Sequence, residues 1–299
     1  MQRMRSPRRW VPFVSLVTAI VLVTYYQLSS HQTAKLVDYP TQRTVKYSFT
    51  VKNPNSYPIA KSELRVNAPI RLSAFQQLAD IKASQPYKLT EDGHGNEQMA
   101  FLIENMPPYA NRTITVSVSV NLSAQGNRVD IIQDEAFLGD DKFVGLSNPD
   151  IQRVASRLHA DAPKDTADRI YRWITSNIKK SSYVRNDIGA PQALKTKSGD
   201  CTEFMYLFSA LARANGIPTR NMAGFVAREN RVLRPADYHN WNEAYIDGEW
   251  YLIDADKQVF MGKSDEYIAM RLIGNMNQTG TMSSQSFFSA SDDIQVHMN

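Results

Sequence analysis

The chain has 299 residues and a formal net charge of +4, with 34 Lys and Arg against 30 Asp and Glu, five His and a single Cys. That length allows two modest domains, each with its own core. Four of the basic residues, Arg3, Arg5, Arg8 and Arg9, fall in the first ten positions, and the remaining 30 basic groups balance the 30 acidic ones, so no nucleic-acid partner is expected.

No acidic residue precedes Asp38, and the stretch from Trp10 to Leu28 is uncharged and of bilayer-spanning length. Basic residues ahead of it favour a cytoplasmic N-terminus. Gln27-Leu28-Ser29-Ser30-His31 is a poor cleavage site and Tyr25-Tyr26 suits a membrane interface, so residues 1–37 are expected to form an uncleaved single-pass anchor rather than a signal peptide. The remainder is then periplasmic or extracellular.

Residues 38–134 read as β structure. Val45, Tyr47, Phe49 and Val51 alternate with polar residues until Asn53-Pro54-Asn55, and Ile114, Val116, Val118, Val120 and Leu122 line one face of a second strand. Short alternating runs separated by Pro, Gly and Asn clusters predict a small antiparallel sandwich.

From about residue 148 the period becomes helical, and 135–299 is expected to be a second domain. Asn148-Pro149-Asp150 leads into Ile151, Val154, Ala155 and Leu158. A second helix starts near Lys164, with Ala167, Ile170, Tyr171, Ile174 and Ile178 inward and Lys179-Lys180 at its C-terminal end. A polar loop through Asn186, Gly189 and Pro191 reaches Ser198-Gly199-Asp200-Cys201. The next helix buries Phe204, Leu207, Phe208 and Leu211 and stops at Asn215-Gly216 with Pro218 beyond. Asp200 as N-cap puts Cys201 in the first turn, where unpaired N–H groups and the helix dipole favour a thiolate.

Asp247-Gly248 between His239-Asn240-Trp241-Asn242-Glu243-Ala244-Tyr245-Ile246 and Glu249-Trp250-Tyr251-Leu252-Ile253-Asp254 signals a hairpin. A two-residue turn sets Ile246 opposite Glu249, Asp254 opposite Trp241 and Asp256 opposite His239, all four of the latter on one face. Spacing alone lets either carboxylate orient the imidazole. Trp241 is expected to line the site, Tyr245 and Trp250 to pack, and Glu243 either to line the site or to pair locally. The tail from Lys263 to Asn299 could complete a sheet or cover the cleft.

Gly199-Asp200-Cys201, the run from Leu211 to Arg220, His239-Asn240-Trp241 and Asp247-Gly248 through Asp254 together resemble the transglutaminase-like superfamily, the papain-related thiol fold. The resemblance covers about 150–256. It implies an α+β core in which a helix-borne Cys201 packs on an antiparallel sheet bearing His239 and Asp254, with the sandwich and anchor ahead of it. It also selects Asp254 as the third member of the triad, leaving Asp256 in reserve. Asn240 and Asn242 stand where the family commonly has smaller residues, and Ala255-Asp256-Lys257 where a proline is common.

The implied chemistry is thiol acyl transfer on an amide or peptide bond through a thioester, most simply a cysteine peptidase or amidase acting on an envelope or secreted protein or peptide. Amine transfer, as in a transglutaminase, and a catalytically silent interaction scaffold are the alternatives. One cysteine and five scattered histidines do not supply a tetrahedral metal set, and no Asp-x-Asp-x-Asp-Gly loop is present, so no metal or cofactor is expected.

Overall fold

The computed structural model describes residues 37–92, 96–127, 137–183, 186–274, 283–284 and 286–299. The apolar segment 10–28, with the anchor expected there, lies outside the described residues; among these no helix is long and apolar enough to cross a membrane.

Six strands come first: β1 (Thr41–Lys52), β2 (Ile59–Asn67), β3 (Gln76–Ala83), β4 (Lys88–Glu91), β5 (Glu97–Met106) and β6 (Asn111–Leu122). β1 and β6 pair antiparallel along their whole length, and their alternating apolar residues, Val45, Tyr47, Phe49 and Val51 against Ile114, Val116, Val118 and Val120, are all buried. β3 extends that sheet beside β6, while β2, β5 and β4 form a second. The two share a core with Leu64, Phe101 and Ile103, as period-two burial requires.

Next come α1 (Pro149–Leu158), α2 (Pro163–Asn177), β7 (Lys179–Lys180), α3 (Gly189–Thr196), β8 (Ser198–Gly199) and α4 (Cys201–Arg213). Asn148 caps α1 by accepting from the N–H groups of Asp150 and Ile151. Two expectations are corrected here. Lys179 and Lys180 do not end a helix; they form β7, which runs parallel to β8. The polar loop contains α3, because Pro191 sits in its first turn, where a missing N–H costs nothing.

The remaining strands are β9 (Thr219–Val226), β10 (Arg231–Val232), β11 (Tyr238–Ile246), β12 (Glu249–Asp254), β13 (Val259–Phe260), β14 (Tyr267–Ile273), β15 (Phe288–Ala290) and β16 (Gln295–Met298). A central sheet has the order β13-β12-β11-β9-β14. Its hairpin turns through Asp247 at φ 51° and Gly248 at φ 85°, the double positive φ of a type I′ turn. The register is the expected one, from Ile246 opposite Glu249 to Asn242 opposite Ile253. α4 packs on the sheet face bearing Ala223, Ala244, Ile246 and Ile253. The opposite face, with Met222, Trp241, Trp250, Leu252 and Tyr267, packs on Ala74 and Phe75.

Residues 37–299, on both sides of the expected 134/135 boundary, form one compact body. β10 and β16 both pair with β1, and β15 pairs with β2, so late segments of the chain cover sandwich edges that would otherwise stand unpaired. Phe225, Ile268, Met270, Phe287 and Met298 accordingly belong to the sandwich core.

Candidate active site

Cys201 occupies the first position of α4. Asp200 accepts from the Thr202 N–H at 2.9 Å, and Glu203 reaches back to the N–H of Asp200 at 3.2 Å and of Ile188 at 3.1 Å. This capping box fixes the loop that delivers the thiol. Burial pushes the Glu203 carboxyl up to about 7, with the nearby Asp200 charge adding to the effect against the stabilising Ile188 N–H. The rest of the helix is buried from Thr202 to Ala212, while Cys201 itself is half-buried.

His239 comes from β11, the strand on which α4 rests, and is only 4% exposed. Its Nε2 lies 2.7 Å from Asp254 Oδ2 on the adjacent strand. Asp254 Oδ1 accepts from the Lys257 N–H at 2.9 Å, and Oδ2 also accepts from the Tyr267 hydroxyl at 2.8 Å. Burial opposes charge on both partners, but their mutual attraction outweighs it. The imidazole is pushed up to about 9, helped by a hydrogen bond with Cys201, and Asp254 is held below its usual range. With Nε2 engaged by Asp254, Nδ1 is the ring nitrogen left for the thiol.

The two candidate carboxylates have different tasks. β12 ends at Asp254, and the turn beyond it carries Asp256 away from the imidazole to meet Lys180, whose Nζ donates to Asp256 Oδ2 at 2.8 Å. Lys180 is brought there by the short β7–β8 pair just ahead of Cys201. Asp256 thus shares the cleft with Cys201 and His239 but does not orient the imidazole.

Trp241 is the expectation that fails. It is on the predicted face, but that face is covered: the indole is 1% exposed and packs edge-on against Tyr267 with ring centroids 5.1 Å apart. It supports the site from beneath and does not line the cleft. Glu243 pairs locally, accepting from Arg220 Nε at 2.6 Å, and the same guanidinium lies 4.1 Å from the Trp250 ring centroid.

Both asparagines that depart from the family pattern join helix to strand. Asn242 Nδ2 donates to Met205 O at 3.1 Å, Ser209 Oγ at 3.1 Å and Asn221 Oδ1 at 3.0 Å, tying α4 to β11 and β9. Asn240 Nδ2 donates to Ser284 O at 3.2 Å, while its Oδ1 accepts from Thr202 Oγ1 at 3.2 Å and faces Cys201 Sγ at 3.6 Å.

Sequence reasoning missed Tyr267, Lys180 and Ser284. Tyr267 opens a strand in the run Tyr-Ile-Ala-Met-Arg-Leu-Ile, whose β-rich composition is a usable signal; the placement of Lys180 and Ser284 depends on long-range pairing that no local pattern carries. Cys201, His239, Lys180 and Asp256 line a cleft of about 570 Å³ together with Arg228, Glu229 and Arg231.

Residues 152–255 match the sequence profile of the transglutaminase-like superfamily, so the chain carries a transglutaminase-like domain, an α+β fold rich in sheet. No curated protein sequence matches the chain. Among solved structures it resembles a candidate cysteine protease from Cytophaga hutchinsonii, with TM-score 0.54, 16% identity, and coverage of 87% of this chain and 92% of that one. At that identity the likeness is one of fold. It is also similar to the periplasmic domain of TgpA from Pseudomonas aeruginosa, with TM-score 0.37, 16% identity, and coverage of 71% and 88% respectively.

Proposed function

We propose that this transglutaminase-like domain is a cysteine enzyme that cleaves an amide or peptide bond through a thioester. One observation carries the reading: Cys201 heads a buried helix in the same cleft as His239, whose far nitrogen is held at 2.7 Å by Asp254. In the acylation step the Cys201 thiolate attacks the carbonyl carbon and forms the C–S bond. The C–N bond then breaks as His239 transfers its proton to the departing amine. Asp254 keeps the imidazole oriented and stabilises its protonated form. The Cys201 N–H, beside the sulfur at the head of α4, is the donor suited to the developing oxyanion.

Water completes the cycle by attacking the thioester, giving a carboxylic acid and regenerating the thiol. Hydrolysis is preferred over amine transfer because the cleft is open to solvent and water needs no binding site of its own. The test is mass spectrometry of a peptide substrate incubated with the protein and a competing primary amine. Cleaved peptide carrying a new carboxylate supports the hydrolase; exclusive incorporation of the amine would replace it with a transglutaminase. Full biological function retained by Cys201→Ala would leave a non-catalytic scaffold.

The substrate is proposed to be an envelope or secreted protein or peptide. That part rests on the uncharged segment 10–28 and the arginines before it, read as an anchor with the domain outside the cytoplasm. Protease accessibility of residues 37–299 in intact cells, against spheroplasts, checks this orientation.

A further inference from the structure

Cys201 stands where two depressions of opposite character meet. The first is the charged cleft already described, which includes His239. The second, about 630 Å³, runs from Cys201 and Asn240 past Tyr238 and Pro235 to Phe287, Phe288 and Met298. Tyr183, Ala236 and Tyr238 border both. His239 belongs only to the first, and no charged side chain lines the second among the described residues.

The wall of the apolar groove is built to hold its shape. Phe287 packs against Phe225, Tyr47, Tyr238 and Phe49, with ring centroids 4.9, 5.4, 5.8 and 6.0 Å apart. These rings belong to the sandwich core, so the groove is preformed and an apolar group entering it has little ordering to do. At the junction of the two depressions Tyr183 is 71% exposed, an aromatic ring left to solvent beside the thiol.

The proposed acylation step assigns the two sides. The amine leaves toward the group that protonates it, so the leaving half of the substrate lies in the charged cleft with His239. The half that stays bonded to sulfur must extend the other way. We propose that the groove between Cys201 and Phe288 is the acyl-side subsite, and that the substrate is a peptide carrying a large apolar side chain on the residue whose carbonyl is attacked, with polar residues on the amine side. A charged side chain in the groove would be desolvated without a counter-charge, which disfavours it. This inference rests on Cys201 being the acylated nucleophile.

The test uses two peptidyl chloromethyl ketones that differ only in the residue bearing the reactive carbonyl, Phe in one and Asp in the other, with iodoacetamide as a probe that needs no groove. In each ketone the Cys201 sulfur bonds to the methylene carbon and chloride leaves. The Phe reagent is expected to inactivate the full-length protein about ten- to hundredfold faster than the Asp reagent, the worth of burying one large apolar side chain. Phe288→Lys, and independently Pro235→Lys at the exposed rim, should bring that ratio close to one while the iodoacetamide rate changes less than about twofold. Equal rates for the two ketones with normal iodoacetamide labelling would overturn the subsite alone. Failure of iodoacetamide to label the folded protein would instead overturn the nucleophile on which it rests.

Discussion

Tyr267 donates its hydroxyl to the same oxygen of Asp254 that holds His239, at 2.8 Å beside the 2.7 Å imidazole contact. Burial and the carboxylate together raise the phenol far above its ordinary range, so it remains a donor at any pH the protein would meet. One edge strand, β14, thereby braces a pair that spans β11 and β12. Tyr267→Phe is expected to lower the cleavage rate about three- to tenfold, on the scale of one hydrogen bond to a charged group, and to move the acid limb of the pH–rate profile upward as Asp254 loses a stabilising donor. A rate that fell with an unmoved acid limb would mean that the phenol serves only packing.

The imidazole should limit activity from the alkaline side. Since His239 is pushed up to about 9, its protonated form, the acid of the acylation step, disappears as pH rises through that value, and so should the rate. The same shift has a sign for stability: the contribution is complete below the unfolded value of about 6.5 and is lost as pH rises through about 9. In Asp254→Asn the descending limb should move toward neutral pH and the rate should fall roughly 10²- to 10⁴-fold. A descending limb that stays near 9 in that variant would show that another group raises the imidazole.

Glu203 gives a separate pH dependence, unrelated to the chemistry. Its folded value of about 7 exceeds the ordinary carboxyl value of 4.5, so the stability it contributes is complete below about 4.5 and is lost as pH rises through about 7. Between pH 5 and pH 8.5 the wild type should lose on the order of 2–3 kcal/mol relative to Glu203→Gln, measured by urea unfolding at each pH. His239 contributes equally to both proteins and cancels. Parallel stability curves for the two would refute the shift.

Asn242 Nδ2 faces three acceptors, Met205 O, Ser209 Oγ and Asn221 Oδ1, which join α4 to β11 and β9. Asn242→Ala leaves Ser209, Asn221 and a helix carbonyl of α4 buried around a void, at a cost of about 2–4 kcal/mol. The same loosening separates the helix bearing Cys201 from the strand bearing His239, so iodoacetamide labelling should lose its dependence on His239 in step with the melting temperature. A variant as stable as wild type would remove Asn242 from that role.

Much of this was legible in the chain. The period-two runs around Phe49 and Val118, the Asn148-Pro149-Asp150 helix start, the Asp200 cap, the Asn215-Gly216 stop and the Asp247-Gly248 turn each act over a few residues, and each produced the element expected. The hairpin register then brought His239 and Asp254 to one face without any tertiary information. What stayed hidden depends on contacts between distant segments. Parity gives Trp241 the correct face, but cannot say that Tyr267 and Phe75 bury that face. Lys180 looked like a helix-ending cation because nothing local announces a two-residue parallel pairing with Ser198 and Gly199.

β15 and β16 give the sandwich two of its strands and the thiol one wall of its groove. Synthesis therefore delivers Cys201 well before the far wall of that groove. A nascent chain that has reached Cys201, and even His239 and Asp254, still lacks Phe287, Phe288 and Met298. While it is being made, such a chain carries Cys201 without the far wall of the groove beside it. The proposed acyl-side subsite is completed last, by the strands that close the fold.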